Sequence, residues 1–400
     1  MHDVIVVGAR CAGAPTAMLL ARKGYKVLLV DRATFPSDIP HGHFIHRHGP
    51  RRLARWSLLD RIAQTCPAVT STVIDLGDFP LVGTGLEIDG VALGHGPRRA
   101  VLDKILGDAA VEAGADLRQG FTVESLTTDG DRITGVRGRT SRGALIAESA
   151  SIVVGADGRR SRVARFVKAP EYERYPTAMC WYFSYWSGVE PRGVEIYFRR
   201  GDAIFVFPTS DALLGVFIGW PIDRLPAIRA DIEGRFMAAL DEIPELAARI
   251  RSGRREESFR GASDMPHFYR KPYGPGWALV GDAGCHKDPI LALGVCDAFR
   301  DVDLLTDALD EGLSGRRPID EALHDYEQRR NELSMAEYRE NLHLARFQPL
   351  PDETYRLRAA LREDPHATRQ FFLARQGMIP RESFFNPDNL QRLMARCAVC

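Results

Sequence analysis

The feature that most constrains the fold lies in the first 31 residues, which read as strand, turn, helix and strand. Val4–Val7 is a short apolar run rich in β-branched residues that stops at Gly8, as expected for a parallel strand buried on both faces. Ala12–Lys23 carries helix formers at apolar spacing and ends at Gly24, and a second apolar run follows at Val27–Val30. This βαβ unit predicts a parallel sheet of the α/β class.

The turn in this unit reads Gly8-Ala9-Arg10-Cys11-Ala12-Gly13 and suits a dinucleotide pyrophosphate, which backbone N–H groups and a helix N-terminus can hold. It is not a Walker A loop, because the lysine and hydroxyl that grip a triphosphate are absent. Asp31 follows the second strand, where a carboxylate accepts hydrogen bonds from both ribose hydroxyls and repels a 2′-phosphate. The bound dinucleotide is therefore FAD or NAD, and the alternative is a glycine turn with a solvent-facing aspartate. The cofactor-binding residues predicted here are Gly8, Arg10, Ala12, Gly13, Asp31 and the adjacent Arg32.

Arg10 departs from the dinucleotide pattern, because a second glycine normally stands there and permits close approach of the phosphates. Either the loop lies further from the pyrophosphate, or the guanidinium donates to it as a charged hydrogen-bond donor. We expect donation.

Aromatic residues concentrate between 178 and 220, where alternating runs joined by short turns predict an antiparallel meander. An aromatic-rich sheet can be a plain core or one side of a ligand site, and both interpretations stay open. The residues expected to contact a substrate are Trp181, Tyr185, Tyr197, Phe207 and Trp220. After a short strand at Ala278–Val280 the chain is predicted to be helical.

Charge and cysteine content exclude several classes of protein. The 53 basic and 53 acidic side chains balance, so no long-range field attracts nucleic acid, and a mean hydropathy of −0.20 gives no reason to expect a membrane protein. Seven scattered cysteines fit a reducing cytoplasm, and Cys397 and Cys400 are expected to lie in an exposed tail. The histidine-rich stretch 41–48 lacks carboxylate or thiolate partners at fixed spacing, so no metal site is predicted.

Two later motifs distinguish FAD from NAD. Gly155-Ala156-Asp157-Gly158 follows one apolar strand, and Gly281-Asp282 follows another, with Pro289 and Gly294 beyond it. In this order the three motifs resemble those of the flavoprotein monooxygenases of the para-hydroxybenzoate hydroxylase type, over residues 1–345. The related flavin halogenases and geranylgeranyl-reductase-like proteins share these motifs.

The resemblance implies an α/β, overall α+β, architecture: a glutathione-reductase-like Rossmann domain that binds FAD, an inserted antiparallel sheet domain for substrate, and a helical C-terminus. The implied boundaries are 1–75, 98–168 and 270–345 for the first, 76–97 and 169–269 for the second, and 346–400 for the last. Within the cofactor site, the resemblance gives roles to Arg99, Asp157, Gly281, Asp282, Pro289 and Gly294. Near the reacting groups, it points to His43, His46, Lys287 and Pro289. Leu293 and Cys285 depart from the residues usual in relatives.

The activity implied is that of a monooxygenase: NAD(P)H reduces non-covalently bound FAD, O2 adds at the flavin C4a position, and the peroxide delivers oxygen to a small hydrophobic molecule, aromatic or polyketide-like. A homodimer is compatible with this expectation. The halogenase Trp-x-Trp-x-Ile-Pro signature is absent, and Trp220-Pro221-Ile222 does not supply it. A reductase stays open on motifs alone, as does a flavin-binding redox sensor.

Overall fold

We describe residues 1–397 of the chain from a computed structural model. In chain order the strands are β1 (His2–Val7), β2 (Val27–Asp31), β3 (Ala68–Val69), β4 (Thr72–Asp75), β5 (Pro80–Gly83), β6 (Glu87–Ile88), β7 (Val91–Ala92), β8 (Gly94–His95), β9 (Asp116–Gln119), β10 (Phe121–Asp129), β11 (Arg132–Thr140), β12 (Leu145–Gly155), β13 (Glu171–Tyr175), β14 (Met179–Ser187), β15 (Val194–Arg199), β16 (Asp202–Pro208), β17 (Leu214–Pro221), β18 (Arg254–Arg255), β19 (Arg260–Ala262), β20 (His267–Arg270), β21 (Tyr273–Gly274), β22 (Trp277–Leu279) and β23 (Cys285–His286). The α-helices are α1 (Gly13–Arg22), α2 (Gly49–Arg55), α3 (Leu59–Ala63), α4 (Arg99–Glu112), α5 (Arg162–Phe166), α6 (Leu225–Ala230), α7 (Ile232–Asp241), α8 (Pro244–Ser252), α9 (Gly294–Leu313), α10 (Ile319–Ala345), α11 (Asp352–Arg362), α12 (Pro365–Arg375) and α13 (Pro387–Cys397).

The chain forms two compact units, of which the first comprises residues 1–39, 98–176 and 266–342. Its main sheet has the order β10-β11-β12-β1-β2-β9, with β22 beside β12. Strand β1 pairs in parallel with both β2 and β12, so that Val6 lies opposite Leu29 and Val154. Val4 to Val6 are fully buried, as the uninterrupted apolar run predicted for a strand covered on both faces.

Parallel pairing brings several strand ends to one edge of this sheet. Strand β1 ends at Val7, β2 at Asp31, β12 at Gly155 and β22 at Leu279. A motif predicted to contact the cofactor lies at or directly after each of these strand ends. The carboxyl ends of parallel strands meet at the same edge of a sheet, so the fold brings these motifs together. The predicted Rossmann-type α/β architecture is confirmed.

The second unit comprises residues 40–97, 177–265 and 343 onward. Its sheet has the order β18-β14-β17-β16-β15-β4-β5, with β19 also paired to β14. Strands β15, β16 and β17 are antiparallel neighbours, as the meander predicted. One face of the sheet packs against α6, α7 and α8 through a core that includes Trp186, Ile218 and Phe236.

The division differs from the boundaries drawn from the sequence at residues 40–75 and at the C-terminal segment from residue 346 onward, both of which lie in the second unit. Strand β4, at Thr72–Asp75, pairs in parallel with β15 of the second unit's sheet, so this part of the chain completes that sheet. Helices α11 to α13 form the predicted helical C-terminus. Cys397 ends α13, and Cys400 lies outside the described residues. Within residues 1–397, no helix combines the length and apolarity needed to cross a bilayer.

Candidate functional site

The glycine turn after β1 has a backbone that only glycine adopts easily. Gly8 has a φ of +104°, and a Cβ added there would lie 2.5 Å from the carbonyl oxygen of Ala156. Helix α1 begins at Gly13, and no side chain of the described residues caps this end. The backbone N–H groups of its first turn therefore suit an anion such as a pyrophosphate.

Asp31 is held in place at the end of β2 by two backbone groups. Its Oδ2 accepts the N–H of Ala9 and its Oδ1 the N–H of Ala33, each at 2.8 Å. The side chain is fixed against the glycine turn, and each carboxylate oxygen keeps lone pairs for ribose hydroxyls. Arg32 beside it is exposed.

Arg10 occupies the position of the missing glycine and points to a buried carboxylate. Its Nη1 lies 2.5 Å from Oδ2 of Asp103, and its Nη2 donates to Oγ of Ser37 at 2.6 Å. Arg99 donates to the same carboxylate at 3.0 Å, and Asp103 is fully buried. Donation from Arg10 to a pyrophosphate stays a prediction, and the guanidinium would make it while held by Asp103 and Ser37. Sequence reasoning gave Asp103 no role, although its position four residues after Arg99 on one helix face was a usable signal.

The turn containing Gly281 and Asp282 lies against the start of α1. A Cβ added at Gly281 would be 2.8 Å from Cβ of Ala12, so a larger residue would displace the two elements. Asp282 is partly exposed, accepts no hydrogen bond from the described residues, and lies close enough for its charge to act on Arg99 and His286. The fold thus brings Ala12, Arg99 and Asp282 together at one edge of the sheet.

Asp157, also predicted to bind the cofactor, is engaged within its own turn. One oxygen accepts the hydroxyl of Ser161 at 2.5 Å, and the other accepts the N–H of Arg162 at 2.6 Å. Burial raises the pKa of this carboxyl. In this structure Asp157 orders the turn between β12 and α5.

The loop from Cys285 to Gly294 carries three predicted site residues with different surroundings. Lys287 is turned inward, with Nζ 2.5 Å from Oδ2 of Asp297, which also accepts from Arg300 at 2.7 Å. Pro289 is partly exposed, whereas Gly294 is exposed and begins α9. The ion pair of Lys287 with Asp297 holds this loop against α9.

In the same loop, burial raises the pKa of the Cys285 thiol to about 11, so it stays protonated near neutral pH.

The five predicted substrate residues divide between the two faces of the second unit's sheet. Tyr197 and Trp220 belong to the core that packs on α6 to α8. Trp181, Tyr185 and Phe207 lie on the opposite face, because side chains alternate along a strand. We name this surface the aromatic face; its six members, each at most 8% exposed, are Trp181, Phe183, Tyr185, Phe205, Phe207 and Phe217.

His43 packs on the aromatic face. Its ring centroid lies 5.1 Å from that of Phe207 and 5.7 Å from that of Phe217, and the side chain is 1% exposed. Its Nε2 lies 2.9 Å from Oη of Tyr185, and its Nδ1 lies 3.2 Å from the carbonyl oxygen of Gly96. His43 and Tyr185 thus form a polar pair among phenyl rings. No sequence signal indicated Gly96, because its contribution is a backbone carbonyl.

His46, the second histidine predicted near the chemistry, has different neighbours. Its Nδ1 lies 3.0 Å from Oε1 of Gln376, just after α12, and its ring packs on Phe44 at 5.5 Å. His46 therefore links the 41–48 segment to the C-terminal helices.

The chain matches the family model described as FAD binding domain over residues 1–340. It is 24% identical over 331 residues to the digeranylgeranylglycerophospholipid reductase of Methanosarcina acetivorans, which covers 78% of this chain and 76% of that protein. The structure of the myxobacterial chondrochloren halogenase CndH superposes with a TM-score of 0.79 at 20% identity, over 100% of this chain and 97% of that one. PqsL, a probable FAD-dependent monooxygenase from Pseudomonas aeruginosa, superposes with a TM-score of 0.71 at 20% identity, over 93% of this chain and 98% of that one.

These matches agree with what the residues themselves accommodate. The tight turn at Gly8, the fixed carboxylate of Asp31 and the available carboxylate of Asp282 fit the pyrophosphate and the hydroxyl groups of a dinucleotide. The family model covers most of the chain. The chain therefore belongs to the FAD-binding domain family of flavin-dependent oxidoreductases.

Proposed function

We propose that this chain is an FAD-dependent monooxygenase that uses NAD(P)H and O2 to hydroxylate or epoxidise a hydrophobic, aromatic small molecule. The observation that carries the proposal is the aromatic face, a surface of six buried aromatic side chains, one of which, Tyr185, forms a polar pair with the buried His43. The other face of the same sheet packs on helices α6, α7 and α8, so the two faces have different neighbours within the second unit.

The cofactor would be held by residues of the first unit. Asp31 would accept hydrogen bonds from the adenosine ribose, the N-terminus of α1 would face the pyrophosphate, and Asp282 would accept from the ribityl chain. Arg99 and Arg10 add two positive charges, which Asp103 partly neutralises and holds in place. Bound FAD would supply the redox and oxygen chemistry, since the protein side chains here carry out no redox step.

The aromatic face would position the substrate and exclude water from it. Phenyl and indole rings contact planar molecules over a large area and exclude water, which oxygen-transferring flavoproteins need. Phe183 and Phe217 stack with centroids 4.6 Å apart, and Phe207 and Phe217 with centroids 5.2 Å apart, so these rings pack against one another. His43 and Tyr185 would orient a polar group of the substrate.

A reductase is the second candidate, and most of the sequence relatives favour it, although one relative is named a squalene epoxidase. The relative from Methanosarcina acetivorans is named for reducing digeranylgeranylglycerophospholipid, an isoprenoid lipid. The structural neighbour PqsL favours the monooxygenase, as does the dense aromatic lining, since a polyisoprenoid chain is aliphatic.

Oxygen labelling separates the two candidates. The FAD-loaded protein would be supplied with NADPH or NADH, ¹⁸O2 and a panel of hydroxylated, unsubstituted and polyketide-like arenes, with a polyisoprenyl lipid run in parallel without oxygen. The proposal expects an arene product that carries ¹⁸O and NAD(P)H oxidation that the arene accelerates. Saturation of the lipid without oxygen, with no labelled arene product, would establish the reductase instead.

A further inference from the structure

The segment after β2, residues 33–38, folds back onto the dinucleotide turn, and we name it the strap. Its near end is fixed to the chain at the end of β9. The carbonyl oxygen of Ala33 accepts the N–H of Gly120 at 3.1 Å, and the N–H of Phe35 donates to Oε1 of Gln119 at 2.7 Å. The far end of the strap is held differently, by arginine side chains from two other elements.

Arg10, in the dinucleotide turn, makes most of the contacts with the far end. Its Nη2 donates to Oγ of Ser37 at 2.6 Å and its Nη1 to the carbonyl oxygen of Ser37 at 3.2 Å. Its guanidinium also lies 5.0 Å from the ring centroid of Phe35. Arg98, directly before α4, adds an ion pair with Asp38 at 3.1 Å. Two cations therefore hold the far end by side-chain contacts alone.

The strap and the turn close a ring of covalent and hydrogen bonds. From Asp31 the chain runs to Ser37, which accepts from Arg10, and Ala9 beside Arg10 donates back to Asp31 at 2.8 Å. Asp31 is the predicted ribose acceptor, and the turn is the predicted pyrophosphate site. A dinucleotide that contacts both therefore lies next to the two ends of the strap.

We infer that the strap controls the exchange of FAD, which enters and leaves while Ser37 and Asp38 are released from Arg10 and Arg98. Arg10 stays behind when the strap opens, because the fully buried carboxylate of Asp103 holds it at 2.5 Å. The inference depends on FAD binding, which the family match supports, and not on the reaction proposed above.

The strap contacts set the exchange rates because they keep the open state rare. Charge-assisted hydrogen bonds favour the closed strap, and a process that passes through a minor state is slowed in proportion to its population. The contacts of Ser37 and Asp38 act in the free and the loaded protein alike. Weakening them should therefore raise the association and dissociation rate constants together and leave Kd nearly unchanged.

Rapid-mixing fluorescence of the full chain with FAD measures both rate constants, association on mixing and dissociation on dilution. Ser37→Ala removes the acceptor of Nη2 of Arg10, and Asp38→Asn removes the charge opposite Arg98. We expect each variant to raise both rate constants about threefold to tenfold, as the loss of one hydrogen bond allows, with Kd within about twofold. Thr34→Ala is the matched control and should change neither rate, because this strap hydroxyl is exposed and makes no hydrogen bond within residues 1–397.

Trypsin reports opening of the strap in the protein without FAD. Arg32 is exposed and directly precedes the strap, and cleavage after it requires local opening of the chain. The double variant Ser37→Ala/Asp38→Asn should be cut there severalfold faster than the unmodified chain, as identified by mass spectrometry of the fragments.

Several results would overturn the inference. They are FAD rate constants in the double variant equal to those of the unmodified chain, a faster dissociation with unchanged association, and cleavage after Arg32 that is no faster. The second result would mean that Ser37 and Asp38 only support bound FAD. Failure of the unmodified chain to bind FAD would overturn the inference as well. No turnover is involved, so faster exchange in both directions supports the strap whatever reaction the protein catalyses.

Discussion

The fully buried carboxylate of Asp103 accepts a 2.5 Å hydrogen bond from Nη1 of Arg10, across 93 residues of sequence. Arg99 donates to the same carboxylate from one helical turn away. An arginine in a dinucleotide turn is thereby tied to helix α4, and the turn gains a charged side chain at the place where the pattern has a glycine.

Arg10→Gly should weaken FAD binding although it restores the common glycine pattern. The change removes a charge-assisted donor and leaves Asp103 with one fewer cation, which corresponds to about 1.5 to 3 kcal/mol, or roughly tenfold or more in Kd. Titration of the apoprotein with FAD, followed by fluorescence, measures this directly. Arg10→Lys keeps the positive charge but not the guanidinium fork, so its FAD affinity should lie between those of the unmodified chain and of Arg10→Gly. Tighter binding by the glycine variant would mean that Arg10 is only tolerated.

Asp31→Ala should lower FAD affinity by about tenfold or more, since it removes hydrogen bonds to two ribose hydroxyls worth about 1 to 3 kcal/mol together. The carboxylate also accepts the N–H groups of Ala9 and Ala33, so the variant loses some apoprotein stability as well. Asp31→Asn keeps one acceptor oxygen, which can accept only one of these two N–H groups, and should lose less FAD affinity than the alanine variant. Full retention of FAD by the alanine variant through gel filtration would refute the role given to Asp31.

Alanine replacements on the two faces of the second unit's sheet should have different consequences. Trp220→Ala removes a side chain 2% exposed in the core against α6 to α8 and should cost about 3 to 5 kcal/mol of unfolding free energy. Phe207→Ala on the aromatic face should also lose stability, since that side chain is 4% exposed, but it should in addition uncouple NAD(P)H oxidation and release hydrogen peroxide from the FAD-loaded protein. Denaturant unfolding and a peroxide assay on both variants test this. Equal destabilisation without uncoupling would make the aromatic face a second core.

Much of this arrangement could be predicted from local sequence. The βαβ unit, the meander and the three glycine-bearing turns follow from apolar periodicity and from strands that end at glycine. Local sequence could not predict that Tyr197 and Trp220 lie on the helix-covered face of the sheet, because the face that a side chain occupies depends on the pairing register of neighbouring strands. The contacts of Arg10 with Asp103 and of His43 with Tyr185 join residues 93 and 142 apart in sequence, and only the tertiary fold brings them together.

Arg358 anchors the C-terminal helices, and its removal should show a defined pH dependence. It donates twice to Asp78 at 2.8 Å and once to the carbonyl of Phe79 at 2.6 Å. Burial alone would raise the pKa of Asp78, but the hydrogen bonds and charge of Arg358 outweigh it and hold that pKa below its ordinary value. The stabilisation from this pair is therefore present above the ordinary carboxyl range and is lost as the pH falls through the lowered pKa.

Arg358→Met should thus lower the free energy of unfolding by about 1 to 2 kcal/mol at pH 7, a figure reduced because Asp78 is partly exposed. The difference from the unmodified chain should shrink as the pH falls below about 4. Arg362→Met is the control, because Arg362 stacks on Phe79 at 4.9 Å without pairing with Asp78. A difference between the two chains that stays constant from pH 7 to pH 3 would contradict the ion pair's contribution.

Every activity proposed for this chain depends on FAD bound by Asp31, Asp282 and the turn at Gly8, and the absorbance spectrum of the purified protein tests this most directly. We expect a yellow protein with flavin bands, from which heat or acid releases FAD, identified by liquid chromatography, without covalent attachment. A colourless protein that added FAD fails to reconstitute would contradict the account.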